Sequence, residues 1–199
     1  MKTIEINLYS FDELSEEVQK EVLLKYSDIN TDYDWFASTL QNQKEEEKDF
    51  SITEIYFSGF SSQGDGAMFE YDSIIESFYF SIIDDLKLPE WKKRVLKKFS
   101  YISASGKHSG HYNHEKSVAH NINIETDNGA QYYDNIENLV SSYAGEIESE
   151  IIRLYQIKAR AIYNKLEKEY YSLITDEAIK ETFEANSYTF EANGKMRNV

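Results

Sequence analysis

The sequence predicts an α+β fold, in which a small antiparallel sheet of hairpins packs against several helices, including one long helix near the C-terminus. Short runs of β-forming residues alternate with helical patterns along the chain. Two of these runs, at 51–60 and 67–71, flank a glycine-containing connection that favours a hairpin. Apolar residues recur at three- or four-residue steps from residue 131 to 173, which predicts a helix of about 60 Å at ~1.5 Å per residue.

The N-terminal elements carry clear local signals. Residues 2–9 alternate between apolar and polar side chains, as a half-buried strand does. Ser10 and Glu13 have the spacing of a capping box, which predicts that a helix begins there. A second helix is expected to begin near Thr31 or Asp32. The later elements are expected in this order: a hairpin at 51–60 and 67–71, helices at 73–86 and 88–99, strands at 101–104 and 117–125, the long helix at 131–173, a helix at 175–185 and a strand at 187–192.

Length and composition bound the organisation of the chain. With 199 residues, one proline and eight glycines, residues 1–199 are expected to form a single domain without a flexible linker. The chain has no cysteine, which excludes disulfides, thiolate metal ligands and cysteine nucleophiles. No apolar run approaches the roughly 20 residues of a membrane span, and the first residues alternate instead of forming a signal-peptide core. We therefore expect a cytoplasmic protein.

The net charge of −15 is unevenly distributed. Residues 61–86 carry six acidic and no basic residues, whereas residues 87–120 carry eight basic and two acidic ones. Such a surface repels phosphate backbones, so binding of free nucleic acid is not expected. It would be attracted to basic surfaces, including those that nucleic-acid enzymes use for their own substrates. The alternative is that the acidic charge serves solubility alone.

The most distinctive stretch is residues 57–69, where Gly64 and Gly66 flank Asp65 between two predicted strands. Either glycine can adopt positive φ or allow a close approach of the backbone. A phosphate-binding loop is not supported, because no helix with Lys and Ser or Thr follows and Asp65 would repel the anion. The acidic spacing of a calcium loop is also absent. A structural hairpin and a binding loop both remain open.

All four histidines, His108, His111, His114 and His120, lie in one short segment. This invites a metal-site hypothesis, but on an extended strand they lie too far apart for one ion, and nearby glycines oppose a helix. A compact loop could still gather them with Glu115 or Asp127. The alternative is a polar hairpin whose histidines form hydrogen bonds at a surface that faces a partner. No cofactor is expected.

A basic cluster lies on the predicted helix at 88–99, and it consists of Lys92, Lys93, Arg94, Lys97 and Lys98. Such a run is typical of a solvated helix face. It could also pair with the acidic first third of the chain, or contact RNA held by a partner. No combination of serine, histidine and acid has motif support, so catalysis is not expected.

Four patches, in the same order along the chain, resemble a group of phage and prophage accessory proteins often described as an antitoxin of a toxin–antitoxin system. The patches are residues 6–19, residues 57–69, the Gly-His-Tyr-Asn-His-Glu run at 110–115, and residues 163–170 with 186–190. The Gln-Gly-Asp-Gly-Ala run at 63–67 is the most specific of them. Ser62 departs from the pattern, in which an aromatic residue commonly precedes the glutamine.

This resemblance implies a phage origin and an inhibitor of host defence, of the anti-CRISPR type. The expected partner is a host nucleic-acid-binding protein, namely a CRISPR effector nuclease, with an RNA-targeting type VI effector as one case. The alternatives are an antitoxin-like partner of a toxin and a metal-assisted enzyme that uses the His108–His120 segment. The residues expected to face the partner are Glu45, Glu46, Glu47, Asp49, Phe60, Gln63, Asp65, Glu70, Asp72, His111, Tyr112 and His114.

Overall fold

The computed structural model describes residues 6–127 and 133–197. Its helices are α1 (Glu16–Lys25), α2 (Ala37–Glu46), α3 (Glu76–Asp85), α4 (Glu90–Phe99), α5 (Asp134–Leu173) and α6 (Asp176–Ala185). Its strands are β1 (Phe50–Phe57), β2 (Ala67–Ile74), β3 (Ser100–His108), β4 (Val118–Thr126), β5 (Thr189–Phe190) and β6 (Met196–Arg197). The predicted α+β class is confirmed.

Two compact units make up the structure. One combines the N-terminal part up to Ser38 with the C-terminal part from Leu166 onward, and the other is Thr39–Lys165. The expectation of a single domain stays a prediction. No helix in the part of the chain that the structure describes has both the length and the apolar composition needed to cross a membrane.

The unit Thr39–Lys165 is built on an antiparallel sheet with the strand order β1-β2-β3-β4. Helix α5 packs on this sheet through Tyr155, whose ring centroid lies 4.4 Å from that of Phe69 and 5.9 Å from that of Tyr71. Phe50 completes the aromatic group, with its ring 4.9 Å from that of Tyr71. All four side chains are almost completely buried, so this group forms the centre of the core.

The hydroxyl of Tyr155 also forms two hydrogen bonds with the backbone of strand β2. It donates to the carbonyl oxygen of Phe69 at 2.9 Å and accepts from the Phe69 N–H at 3.0 Å. Both backbone groups are buried, so without this hydroxyl they would lack a partner at that position. Burial raises the pKa of Tyr155, which keeps the hydroxyl protonated.

Gly106 lies opposite Tyr71 in the pairing of β2 with β3. A Cβ atom at Gly106 would be 2.3 Å from Cε1 of Tyr71, so only glycine leaves room for the ring. The Tyr71 hydroxyl continues past Gly106 to Nδ1 of His120 on β4, at 3.0 Å. Burial lowers the pKa of His120, which favours its neutral form. This histidine is partly buried and packs against the core.

The topology places two hairpin loops at the same end of the sheet. β1 is joined to β2 by residues 58–66, and β3 is joined to β4 by residues 109–117. Because all neighbouring strands are antiparallel, both connections lie beyond the C-terminal ends of β1 and β3. The connection from β2 to β3, which contains α3 and α4, leaves from the opposite end.

The other unit has a core of its own. It consists of Phe11, Leu14, Val22, Ile179, Phe183 and Phe190. The side chain of Asn30 is buried and donates to the carbonyl oxygen of Leu173 at 2.9 Å, while it accepts from the Thr182 hydroxyl at 2.6 Å. The predicted helix at 175–185 is confirmed as α6, and Thr175 caps it by accepting from the N–H of Ala178.

Two of the predicted helix starts need correction. The Ser10–Glu13 hydrogen bond is present at 2.8 Å, but it begins only a single 3-10 turn, and α1 begins after the N-cap Ser15 because Leu14 is extended. The second helix begins only at Ala37, because the chain forms turns before it: the N–H of Thr31 donates to the carbonyl oxygen of Asp28, and the N–H of Ala37 donates to that of Asp34.

The predicted first strand lies partly outside the described residues. Within them, Tyr9 forms a single antiparallel bridge with Phe190. The predicted last strand is limited to β5, which pairs with β6. The long helix is confirmed from Asp134, and residues 131 and 132 of its predicted start lie outside the described part.

Candidate functional site: two packed loops held by the long helix

The first loop, residues 58–66, is shaped by its own aspartate. Oδ2 of Asp65 accepts hydrogen bonds from the N–H groups of Ser61 at 2.8 Å and Ser62 at 2.6 Å. At the base of the loop, the N–H of Ser58 donates to the carbonyl oxygen of Gly66. The carboxylate of Asp65 is therefore used within the loop, where it accepts from N–H groups three and four residues earlier in the chain.

The second loop, residues 109–117, also closes on itself. The N–H of Ser109 donates to the carbonyl oxygen of Ser117 at 2.8 Å, and the N–H of Ser117 donates to that of His114 at 2.8 Å. Gly110 has φ of 116°, a left-handed value that favours glycine. This glycine lets the chain turn away from β3.

The two loops pack directly on each other, and we call them the loop pair. Nδ2 of Asn113 donates to the carbonyl oxygen of Phe57 at 3.0 Å. A Cβ at Gly66 would lie 3.1 Å from the carbonyl oxygen of Asn113, and a Cβ at Gly64 would lie 3.4 Å from Cδ1 of Tyr112. Neither Gly64 nor Gly66 has positive φ. Close approach of the backbone is therefore observed at Gly66, whereas a Cβ at Gly64 would make an ordinary contact with Tyr112.

Two side chains of α5, three residues apart, contact both members of the loop pair. Nη2 of Arg160 donates to Oε1 of Glu115 at 2.8 Å. The hydroxyl of Tyr163 donates to the carbonyl oxygen of Gly59 at 3.4 Å, and its ring lies 5.5 Å from that of Phe60. Residues three apart share a helix face, so one segment of α5 holds both loops. We call Arg160 and Tyr163 the helix clamp.

Glu115 is the buried charge of this site. The residue is only 8% exposed, and within the described structure Oε2 has no hydrogen-bond partner. Nδ1 of His114 lies 3.2 Å from Oε2, and it also lies 3.3 Å from the backbone nitrogen of Lys116. The permanently charged partner of Glu115 is Arg160. The stability of the carboxylate therefore depends on Arg160.

Three of the side chains predicted to face a partner are exposed on the loop pair. Tyr112 is 63% exposed, and both Gln63 and His111 are exposed. The His111 ring packs edge-on against Tyr112, with 5.3 Å between ring centroids. Phe60 is only partly exposed and stacks on Phe57. The outward surface of the loop pair is thus aromatic and polar.

The histidines have separate surroundings. His108 stacks on Tyr56 with 5.6 Å between ring centroids, and His120 contacts Tyr155 in the core. Within residues 6–127 and 133–197, no group of three or more His, Cys, Asp or Glu side chains is arranged to hold a metal ion. The geometry therefore lends no support to the metal-assisted alternative.

The acidic segment at 45–49 packs against α5. Oε2 of Glu47 and Oδ2 of Asp49 lie 2.8 Å and 2.9 Å from Nζ of Lys158, and Glu46 pairs with Lys165 at 3.1 Å. Burial lowers the pKa of Lys158, but its hydrogen bonds to Glu47 and Asp49 outweigh this and raise it overall. Glu45 accepts a hydrogen bond from Gln41. Most of this predicted contact surface therefore has partners within its own unit.

Glu70 and Asp72 also have a partner on the neighbouring strand. Nζ of Lys107 lies 2.9 Å from Asp72 and 3.5 Å from Glu70, and the N–H of His108 donates to Glu70 at 2.9 Å. The hydrogen bond to Asp72 is the main cause of a raised pKa at Lys107. Of the predicted contact residues, the structure brings together those of the two loops, whereas Glu70, Asp72 and the 45–49 segment are engaged elsewhere.

The basic cluster of α4 pairs mainly with α3. Lys97 and Lys93 bond to the side chain and the carbonyl oxygen of Asp84, both at 2.5 Å, and Lys92 donates to the hydroxyl of Tyr143 at 2.9 Å. These contacts therefore do not pair the basic cluster with the acidic first third of the chain. Asp84 lies on α3, the helix that directly precedes α4 in the chain.

A family model described as a domain of unknown function, DUF8835, matches residues 22–176. The chain belongs to the DUF8835 family. No curated protein and no solved structure matches the chain. The matched residues include the loop pair and the helix clamp, so the candidate site lies inside the DUF8835 domain.

The helix clamp was missed by sequence reasoning about this DUF8835 chain. Tyr163 lies in a patch of family resemblance, but nothing in the sequence assigned it a role beside Gly59. Arg160 carried no signal apart from its spacing of three residues from Tyr163. Only the packing of α5 on the sheet connects these positions with loops that are 45 and 104 residues away along the chain.

Replacing Arg160 by alanine should lower the free energy of unfolding by about 1–2 kcal/mol, because Glu115 would lose the partner of a buried carboxylate. Urea denaturation followed by circular dichroism measures the change. Arg153→Ala is a matched control, since it breaks an ion pair with Glu150 on the surface of α5 and should cost less than about 0.5 kcal/mol. Equal losses in the two variants would contradict the helix clamp, and Glu115→Ala should recover part of the loss in the Arg160→Ala background.

Proposed function

We propose that this protein acts by binding another protein through the loop pair, and that the partner is a nucleic-acid-guided defence nuclease whose activity it inhibits. One observation carries the binding role: Tyr112 is 63% exposed on a loop that the Asn113 hydrogen bond, the close packing at Gly66 and the helix clamp hold in place. Exposed tyrosine on a rigid frame is a typical contact of a protein interface.

The rigidity of the loop pair supports this role energetically. A partner that contacts Tyr112, His111 and Gln63 would not need to order these loops, because hydrogen bonds and close contacts already define their backbones. Binding to a preorganised surface loses less conformational entropy than binding to a mobile loop. The side chains offered are aromatic and amphipathic, with both apolar area and hydrogen-bonding groups.

The acidic charge has a different part in this proposal. Glu46, Glu47, Asp49, Glu70 and Asp72 are paired within the protein, so they are not the main direct contacts. The net charge of −15 still produces a long-range field that attracts a basic surface. Charges of this kind increase the association rate more than the affinity, so added salt should mainly slow association.

The class of partner follows from the family resemblance and the charge. Nucleases guided by RNA hold nucleic acid in positively charged channels, to which an acidic protein is attracted. The resemblance to phage accessory proteins favours a CRISPR effector nuclease in the host cytoplasm, with an RNA-targeting type VI effector as one case. Binding of free nucleic acid, binding to membranes and catalysis are not part of the proposal.

The test uses a panel of purified CRISPR effector nucleases loaded with guide RNA, including an RNA-targeting one. Cleavage of a labelled target is measured against rising concentrations of the protein. We expect one effector to be inhibited, and we expect Tyr112→Ala to raise the half-inhibitory concentration by roughly tenfold or more. Tyr33→Ala is the matched control, because Tyr33 is also 63% exposed but lies outside the loop pair.

Two outcomes would contradict the proposal. If no effector is bound or inhibited, the proposed partner class is wrong. If Tyr112→Ala and Tyr33→Ala weaken inhibition equally, the loop pair is not the contact surface. Co-expression with candidate toxins separates the antitoxin alternative, since neutralisation of a toxin by the wild type but not by Tyr112→Ala would assign the same surface to that role.

A further inference from the structure

The two edges of the four-stranded sheet differ in how they are protected. Strand β1 has register irregularities between Phe50 and Ile52 and between Ile52 and Glu54, and Nζ of Lys44 donates to the carbonyl oxygen of Thr53. Bulges and lysines are common means of preventing an edge from pairing with another strand. The β1 edge is therefore guarded.

Strand β4 lacks these protections. It pairs with β3 without interruption over nine residues, from Val118 to Thr126. It contains no proline and no lysine, and Glu125 near its end is its only acidic residue. Among the described residues, no backbone hydrogen bond runs from β4 to any strand but β3. A long, regular and nearly uncharged edge of this kind is ready to pair with another strand.

The register identifies the backbone groups on the outer edge of β4. The N–H of Ser109 bonds to Ser117, and the N–H of Asp127 bonds to Phe99, so these two pairs are hydrogen-bonded pairs of the β3–β4 ladder. Between these two pairs, every second pair of the ladder is also hydrogen-bonded. The N–H and C=O groups of the odd-numbered residues of β4 therefore point toward β3. The backbone groups that point away from β3 belong to Val118, His120, Ile122, Ile124 and Thr126.

These outward groups are complementary to a second copy of the same strand. When two β4 strands run antiparallel about Ile122, Ile122 lies opposite its own copy, His120 opposite Ile124, and Val118 opposite Thr126. All of these residues have outward N–H and C=O groups, so every such pair can form hydrogen bonds. On the solvent-exposed face of the sheet, Asn121 lies opposite Asn123 of the other copy, and Ala119 lies opposite Glu125. No two like charges therefore face each other.

We propose that the protein forms a homodimer in which two β4 strands pair antiparallel about Ile122, making one continuous eight-stranded sheet. This contact is isologous, so it closes after two copies. The two β1 edges, which carry the register irregularities and the Lys44 contact, then lie at the ends of the sheet and prevent further strands from adding. Two chains of charge −15 repel each other, so added salt should strengthen this dimer, in contrast to the attraction to a basic partner.

The register can be tested with introduced cysteines, because the chain has none of its own. In the proposed dimer, residue 121 of one copy faces residue 123 of the other as a non-hydrogen-bonded pair, with Cα atoms about 4.5 Å apart, which suits a disulfide. Asn121→Cys and Asn123→Cys are purified separately, then mixed and oxidised mildly. Disulfide-linked dimers should form in the mixture and hardly at all in either protein alone. Thr53→Cys on β1, mixed with Asn123→Cys, controls for random collisions.

Light scattering on the unmodified chain supplies the second measurement, with an expected mass of twice 23.3 kDa. Asn121→Lys/Asn123→Lys should give the single-chain mass with unchanged circular dichroism, because lysines would then oppose each other across the contact. A single-chain mass of the wild type at high concentration, larger assemblies, or equal cross-linking in the Thr53→Cys control would overturn the proposal. No nuclease is present in these experiments, so their failure would leave the proposed function untouched.

Discussion

Tyr155→Phe is expected to destabilise the protein by about 2–4 kcal/mol although it removes only one oxygen atom. The hydroxyl bonds both the N–H and the carbonyl oxygen of Phe69 at a position that is 0% exposed, so water cannot replace it. Each buried backbone group left without a partner costs about 1–3 kcal/mol. Urea denaturation measures the loss, and hydrogen exchange at the Phe69 amide should accelerate by a corresponding factor.

Tyr101→Phe is the matched control for this prediction. The Tyr101 hydroxyl bonds to Glu125 on the open face of the sheet, and the side chain is 48% exposed. Water can replace that bond, so the change in stability should stay within about 0.5 kcal/mol. If both variants lose the same small amount, the Tyr155 hydroxyl does not satisfy the β2 backbone as described.

Gly106→Ala is expected to lower the free energy of unfolding by about 3 kcal/mol. This is the upper end of the usual cost of adding one methyl group to a packed core. The new Cβ would lie 2.3 Å from the Tyr71 ring, which is completely buried and bonded to His120. The ring cannot swing into solvent, so β2 and β3 would have to separate. Thermal and urea denaturation should both show the loss.

The same substitution at Gly145 provides the control, with the opposite sign. Gly145 lies within α5, and a Cβ there would meet nothing within 4 Å. Alanine at this position should raise stability by about 0.5–1 kcal/mol, because it restricts the unfolded chain and favours helix. In a Tyr71→Leu background, Gly106→Ala should cost much less. If it still costs the full amount, steric conflict with Tyr71 is not the cause.

The candidate site illustrates how far sequence reasoning extends. The two glycine-containing loops could be singled out, because turn residues between β-forming runs are a local signal. Their meeting follows only from the strand order β1-β2-β3-β4, which brings both connections to one end of the sheet. The pairing of Glu115 with Arg160 joins residues 45 positions apart, and no local pattern encodes such a contact.

The acidic residues show the same division. Their number and distribution are properties of the sequence, and so is the long-range field that they produce. Which of them are available to a partner depends on tertiary contacts: Asp65 bonds to its own loop, and Glu47 meets Lys158 from 111 positions away. A carboxylate that already pairs with a lysine contributes less to a contact with a partner than an unpaired carboxylate would.

The sequence by itself determined the α+β class, the hairpins, the long helix and the acidic character, because periodicity, capping residues and charge act over a few residues or over the whole chain. The tertiary structure alone decided that Gly106 makes room for Tyr71, that α5 holds the loop pair, and that β4 pairs with β3 alone among the described residues. These features depend on which surfaces meet after folding. Distances between residues far apart in the chain are set by packing, which local patterns do not specify.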